Sequence, residues 1–464
     1  MNDPAISEMP TRTRKPLWRR ILKWTLRIVA ILVVVLVLIW SVWYFVATRA
    51  LDREISKIIV AGEPVTFADL TSSLPEVNRA DDAAPYYTAA IALIGKSDYE
   101  KLDQFQKAFE EIIDQRNTLS PALVASFKNF LAPEHLALEM TDKAAALPGC
   151  SYDSGVEYGI SYCISRFQPA RFLASTLSAR TVFLALQGQG DQAVESAISL
   201  LQMLRIFDRQ PILICHLVRI ACLGLTNSDI PVILESSQPS DQALDKLQDA
   251  LLQAEQQFDL KRMWFAERVY VLAELRNILP FKRICETGIV FQPRMLEEWP
   301  GKDLSIPFVR SLAVNYLQTH TRLVHVTGED WPEAIKAVKA ISASQKSGIF
   351  DTFSLTRSSS AEASTDIMAR YLATTRAARL AIMIELYRRE HGKLPQSLAE
   401  LEAAGRKLPL DPFTGQSLIY RQSPSEYSVY SLGEDLKDNG GPSTKHVSAN
   451  EPADWGVQVR IVRP

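Results

Sequence analysis

From Tyr387 the chain reads Tyr-Arg-Arg-Glu-His-Gly-Lys-Leu-Pro-Gln-Ser-Leu-Ala-Glu-Leu, ending at Leu401. Leu410-Asp411-Pro412-Phe413-Thr414-Gly415 follows, then Tyr427-Ser428-Val429-Tyr430-Ser431-Leu432-Gly433-Glu434-Asp435 and Asp438-Asn439-Gly440-Gly441. A long helical pattern from about Asp366 to Glu390 runs into this stretch. His391-Gly392 ends it and Pro395 stands just beyond, as helix stops do. Ser417–Arg421, Tyr427–Tyr430 and Val457–Ile461 read as strands, the last two alternating apolar with polar residues. Everything upstream of Asp366 is helical in pattern or loop. The fold class is therefore mostly α, with a small α+β module of one long helix and a three-stranded antiparallel sheet at the C-terminus.

The same residues resemble the C-terminal half of the major pseudopilin of type II secretion. In that family a helix ends at Tyr-x-x-x-x-Gly-x-x-Pro, a loop carries Asp-Pro-aromatic-Gly, and a small sheet ends in Tyr-Ser-x-Gly-x-Asp. Thr414 is one residue extra in the middle element. The resemblance implies a module outside the cytoplasm and a calcium loop. The calcium ligands it implies are the Leu432 carbonyl and Asp435, with Asp438, Asn439 and Asp454 as further oxygens, since calcium takes six to eight. The family's closely following Asp pair is absent, and Pro442-Ser443 stands in its place. Asp454 substitutes only if 442–453 loops out. The other reading is an acidic turn held by its own Asx hydrogen bonds. The Gly-Phe-Thr-Leu-Ile-Glu assembly element of true pseudopilins does not precede the apolar N-terminal stretch, so filament incorporation by that route is not expected.

At the opposite end, Ile28 to Ala47 is almost unbroken apolar sequence. At about 1.5 Å per residue it covers the roughly 30 Å hydrocarbon core of a bilayer. Trp24 stands before it and Trp40, Trp43 and Tyr44 near its far end, as interfacial aromatics do. Residues 1–27 carry seven basic side chains (Arg12, Arg14, Lys15, Arg19, Arg20, Lys23, Arg27) and two acidic ones (Asp3, Glu8), a balance of +5, against −2 for the whole chain and so −7 for the rest. The positive-inside rule places residues 1–27 in the cytoplasm and the bulk of the chain outside a bacterial inner membrane. A cleaved signal peptide is the alternative, but its apolar region is about 7–15 residues with a small-x-small exit, and Thr48-Arg49-Ala50 is a poor one.

The 464 residues are 47% apolar and 22% charged, enough for a large core. No basic excess remains beyond the anchor, so nucleic acid is not an expected partner. Of five cysteines, Cys150 and Cys163 lie in a polar, Gly- and Tyr-rich stretch. A disulfide between them and a pair of unpaired thiols are both open readings.

Asp81-Asp82-Ala83-Ala84-Pro85 reads as a capped helix start. Helical periodicity continues through Ile112 and again over Ala122–Leu147, followed by a loop to about Gln168. Residues 170–276 read as an antiparallel helix array. Asp191 is placed to cap the helix running to Leu204, Pro211 to open one through Leu225, and Ser240 to cap the next. Gly188-Gln189-Gly190-Asp191 resembles the turn of a tetratricopeptide repeat, but no second copy follows, so an irregular helical domain is expected. Pro280–Pro307 reads as irregular and Ser347–Ser364 as a Ser/Thr-rich linker. The expected organisation is a basic tail (1–27), a membrane helix (28–47), a helical domain (48–346), a linker (347–364) and the α+β module (365–464).

Gly62-Glu63-Pro64-Val65-Thr66, Ala83-Ala84-Pro85-Tyr86-Tyr87, Leu213 to Ala221 and Ala266-Glu267-Arg268, in this order, are similar to a group of single-pass membrane proteins of planctomycete-type bacteria. There a helical domain often precedes a pseudopilin-like tail. That resemblance implies an architecture and a habitat, with no activity attached.

Two charges stand out in apolar helices, Arg219 and Glu267, and buried charges need partners. They read as one buried ion pair; the sharper alternative is a ligand pocket formed by Arg219, Glu267 and His216. His320 and His325 are five apart, the wrong spacing for one helix face. No zinc-protease, nucleophile-elbow, P-loop or dinucleotide motif occurs. The expected function is structural or protein-interaction work at the extracytoplasmic face of the membrane, with the bilayer and an envelope or secretion-associated protein as partners. An enzyme with a pocket in the helical domain, or an accessory of a type II secretion-like system, is the alternative.

Overall fold

The computed structural model describes residues 17–72, 74–94, 121–153, 160–209, 212–277, 306–328, 330–344, 358–442 and 453–461. The helices are α1 (Leu17–Val60), α2 (Phe67–Ser72), α3 (Ala84–Ile94), α4 (Pro121–Leu131), α5 (His135–Ala145), α6 (Ile160–Leu186) and α7 (Gly190–Met203). Then come α8 (Leu213–Ser236), α9 (Asp241–Gln256), α10 (Leu260–Asn277), α11 (Ile306–Val326), α12 (Trp331–Ser344), α13 (Ser358–His391) and α14 (Leu398–Ala403). Strands β1 (Ile419–Gln422), β2 (Glu426–Ser431) and β3 (Trp455–Arg460) form one antiparallel meander in the order β1-β2-β3. The mostly helical class with a C-terminal three-stranded sheet is what the periodicities predicted.

α1 is 44 residues long, about 66 Å, more than twice a hydrocarbon core. Its apolar side chains from Trp18 to Val46 stand largely exposed, while Ala47 and Ile58 are buried. The burial begins where α11 joins. α11 runs parallel to α1: Trp43 Nε1 donates to Ser311 Oγ at 3.2 Å, Gln318 Nε2 donates to Glu54 at 3.1 Å, and Glu63 meets His325 at 2.8 Å. α8 is also long and apolar enough to cross a membrane, but two thirds of its apolar window is buried in the body, so it is a core helix.

The body is built from α3 to α10. α6 packs on α7 and α8, and α3 on α5 and α6. The Asp82 carboxylate accepts from Ala84 N at 3.0 Å, capping α3 as expected, and also from Ser151 N at 2.8 Å. Ser240 caps α9 by accepting from Ala243 N at 3.2 Å. Asp191 does something else than expected. It lies inside the first turn of α7, and its Oδ1 accepts from Ser240 N at 2.5 Å, so it ties the α8–α9 turn rather than its own helix. Gly190 is forced by the same junction, because a Cβ there would lie 2.4 Å from Pro239 N.

Other boundaries differ for identifiable reasons. Pro133 splits the Ala122–Leu147 pattern, so α4 and α5 flank a short turn at Ala132–Glu134. α6 begins at Ile160, earlier than the loop reading allowed, and carries Pro169 inside it. α8 continues past Leu225 through an internal Pro231 to Ser236. The earlier halves of those readings, at 95–120 and 154–159, lie outside the described residues, as do Pro211 and most of 280–307.

The C-terminal module is not set apart by a linker at 358–364, because those residues are already the first turns of α13. α13 packs against α8, α9 and α12 as well as β2 and β3. A single apolar cluster holds Leu223 and Ile230 of α8, Leu251 of α9, Leu380 and Ile384 of α13, and Val429 and Val457 of the sheet. Polar ties reinforce it. Glu255 accepts from Arg376 at 2.7 Å and also from Arg379, and Arg389 donates to the Pro239 carbonyl at 2.6 Å. The Tyr427 hydroxyl donates to the Ala381 carbonyl at 3.1 Å, seating the sheet on α13.

Candidate functional site

Where the stalk meets the body, Glu63 sits in the turn that ends α1. Arg268 Nη1 donates to its Oε2 at 2.6 Å, and His325 Nε2 lies 2.8 Å from its Oε1. Arg268 has no exposed surface. It also donates to Thr321 Oγ1 at 3.2 Å and lies over the Phe265 ring at 5.2 Å. Burial pushes the Glu63 carboxyl up, but hydrogen bonds from His325 and Arg268 outweigh it and hold the carboxyl below its ordinary value. Burial pushes the Arg268 guanidinium down against the pull of Glu63.

On the neighbouring turn of α10, Glu267 Oε1 accepts from Leu213 N at 2.6 Å, so its carboxyl caps α8. Half-buried by surface area, it is still enclosed deeply enough that burial raises it to about 7, against that hydrogen bond. Tyr316 of α11 is pushed well above its ordinary value, by burial first and then by Glu267. His320 stacks on Tyr316 at 3.8 Å and meets Trp264 edge-on at 5.6 Å; burial lowers it to about 4. Both His320 and His325 therefore take structural partners. Glu63, Leu213 and Glu267-Arg268 bring three of the four short middle-region motifs to one junction, although 205 positions of chain separate Glu63 from Arg268.

The expected Arg219–Glu267 pair is not formed. Arg219, 4% exposed, donates through Nη1 to Asp208 Oδ1 at 2.8 Å. Asp208 closes the Leu204–Phe207 turn a few residues before α8, and Arg262 Nη2 donates to its carbonyl at 2.9 Å. Burial raises the Asp208 carboxyl despite Arg219. Arg219 faces the loop that enters its own helix, whereas Glu267 binds the helix start two turns earlier. His216 is buried one turn before Arg219. Of the three candidate pocket residues, Arg219 and Glu267 thus bind different groups around α8.

In the C-terminal loop the acidic residues are engaged by the chain itself. Asp435 Oδ1 accepts from Lys437 N at 3.0 Å, and Asp438 Oδ1 accepts from Gly440 N at 3.0 Å and the Tyr430 hydroxyl at 3.1 Å. Arg421 pairs with the other oxygen of Asp438. Asp454, almost fully buried, accepts through Oδ2 from Asn439 N at 2.9 Å and Gly441 N at 2.8 Å. Leu432 lies at the strand end beside Gly433, whose φ of +69° and a would-be Cβ 2.6 Å from the Ala453 carbonyl demand glycine. Asp411 organises the Asp-Pro-Phe-Thr-Gly turn, accepting from Phe413 N at 2.9 Å and Ser431 Oγ at 2.8 Å. Among the described residues no group of three or more His, Cys, Asp or Glu side chains is disposed to hold a metal ion. Beside this loop the polar face of the sheet forms a shallow, open groove of ≈ 290 Å³ lined by residues including Arg421, Glu426, Ser428 and Gln458.

The chain matches no family model, no curated protein and no solved structure.

Cys150 is half-buried, and burial pushes its thiol up to about 11. The Cys163 side chain, and with it the pairing to Cys150, lies outside the described residues. Sequence reasoning missed Asp229, which is fully buried in α8 and accepts from Ser178 Oγ at 2.8 Å. Burial pushes that carboxyl well above its ordinary value. A lone acid before the apolar run Ile230-Pro231-Val232-Ile233-Leu234 was the available signal.

Proposed function

We propose that this chain is a membrane-anchored envelope protein whose helical body works as a structural or protein-interaction module on the extracytoplasmic face. The reading rests on α1. Its apolar surface from Trp18 to Ile39 stands exposed, meets α11 at Trp43 and Tyr44, and gives way to a buried seam at Ala47. Such a collar is stable in a bilayer and costly in water. The basic tail before it argues for a cytoplasmic N-terminus. A body held by one rigid stalk and locked through Glu63, Arg268 and His325 suits a load-bearing or docking role. The enzymatic alternative has less support, since Arg219 and Glu267 bind different partners. A secretion-accessory role rests on the module's order of helix, Asp-Pro turn and sheet.

Two measurements test it. The protein should remain in the pellet after a carbonate wash of membranes. A cysteine at the exposed Ser423 should react with a membrane-impermeant thiol reagent in intact spheroplasts. Release by carbonate would refute the anchor, and labelling only after lysis would refute the orientation.

A further inference from the structure

α11 opens with Ile306-Pro307-Phe308-Val309-Arg310, four apolar residues followed by an arginine. Its depth is set by α1. If hydrocarbon begins after Arg27, about 20 residues at 1.5 Å each carry it to Ala47. Arg310 lies over the Tyr44 ring at 4.6 Å and donates to Thr48 Oγ1, and Ser311 accepts from Trp43. Arg310 therefore sits at the boundary of the hydrocarbon. Because α11 runs parallel to α1, Ile306–Val309 lie about 6 Å deeper, level with Trp40 to Tyr44. That depth suits their composition: Pro307 is buried, while Ile306, Phe308 and Val309 keep part of their apolar surface exposed. Across α1, Arg49 lies over the Phe45 ring at 4.3 Å. Neither Arg49 nor Arg310 is paired with a carboxylate among the described residues. Two guanidiniums, each braced on an aromatic ring at headgroup height, present forked donors suited to phosphate.

We propose that the first turn of α11 is a second membrane contact, with Ile306–Val309 dipping into the bilayer beside α1 and Arg49 and Arg310 gripping lipid phosphate. The occupant is the same bilayer that holds the anchor, since this turn is tied to the apolar stretch of α1 through Trp43 and Tyr44. The inference rests on the anchor reading, and not on which side of the membrane the body faces. It makes the body a fixed platform on the membrane rather than one swinging on a tether.

The full chain in phosphatidylglycerol nanodiscs provides the test. Phe308→Cys and, as a control equally half-buried in protein on α12, Ala337→Cys are treated with a water-soluble maleimide, and modification is read site by site by mass spectrometry. The thiol introduced by Phe308→Cys should react at least about tenfold more slowly than the control, because a thiol at the hydrocarbon edge resists ionisation. Equal rates would overturn the immersed turn, while retention of the protein in the disc would leave the anchor standing. Loss of the protein from the disc would instead refute the anchor. In native mass spectra after mild delipidation, Arg49→Gln with Arg310→Gln should retain several-fold less phosphatidylglycerol than wild type, whereas Lys336→Gln should not. Unchanged retention in the double variant would overturn the phosphate assignment.

Discussion

Removing the Glu63 carboxylate should cost more than removing both charges of its pair. Arg268 has no exposed surface, and Glu63 is its one carboxylate partner among the described residues. Glu63→Gln leaves a guanidinium without its counter-charge in a closed site, which costs roughly 3–5 kcal/mol. Arg268→Met leaves Glu63 with His325 at the site's more open edge, so its cost should be smaller, about 1–3 kcal/mol, mainly lost packing on Phe265 and the Thr321 bond. In Glu63→Gln with Arg268→Met no buried charge is left over, and much of the loss should return. A reporter is at hand: Trp264, one of eight tryptophans, is buried one turn from Arg268, so intrinsic fluorescence includes this junction when unfolding is followed. At roughly 2–4 °C per kcal/mol for a domain of a few hundred residues, Glu63→Gln should melt about 10 °C lower, and the double variant markedly higher than that single. If the two single effects simply add, to within about 0.5 kcal/mol, the ion pair does not hold the stalk to the body and the junction reasoning fails.

The carboxyl of Glu267, raised to about 7, binds its proton more tightly folded than unfolded, so its neutral form favours the fold and stability drains away as pH rises from about 4.5 through 7. His320, lowered to about 4, acts oppositely and costs stability as pH falls from about 6.5 toward 4. Glu267→Gln should therefore gain on wild type between pH 5 and 7.5, by on the order of 3 kcal/mol at most, and a constant offset in melting temperature across that range would contradict it. Gly190→Ala should destabilise by about 1–3 kcal/mol, because its methyl meets the Pro239 backbone; chemical denaturation showing no loss would mean that the junction is looser than described. Full-length protein should melt at the same temperature in millimolar calcium and in chelator, since Asp435, Asp438 and Asp454 already bind backbone N–H groups or Arg421, and a calcium-dependent rise abolished by Asp435→Ala would restore the ion. The full chain is required because α13 shares its core with α8 and α9.

Much of the architecture was legible because it follows from periodicity and punctuation. The apolar N-terminal helix, the Ser240 cap, the long helix and all three strands come from local patterns. What was hidden depends on partners distant in sequence. Arg219 and Glu267 both stand out as charges in apolar helices, yet the pattern could not say that Asp208, eleven residues before Arg219, was nearer than Glu267. Glu63 stood in a noted motif, but nothing near it in sequence pointed to Arg268, 205 residues later. The Ser/Thr-rich 358–364 segment was misread because its serines and threonines disfavour a helix weakly, and packing at the base of α13 overrides that preference.

If the body is exported as proposed, it must also survive its own synthesis. α8 is 24 residues long and apolar enough to be halted sideways into lipid while its neighbours α9 and α13 are still untranslated. Arg219, Asn227 and Asp229 lie along that helix, and an arginine or an aspartate near the centre of a span opposes insertion by roughly 2.5–3.5 kcal/mol each. On the proposed reading, the same side chains that are awkward to bury in the finished protein would act earlier as passwords, opposing a second span in a molecule meant to be anchored once.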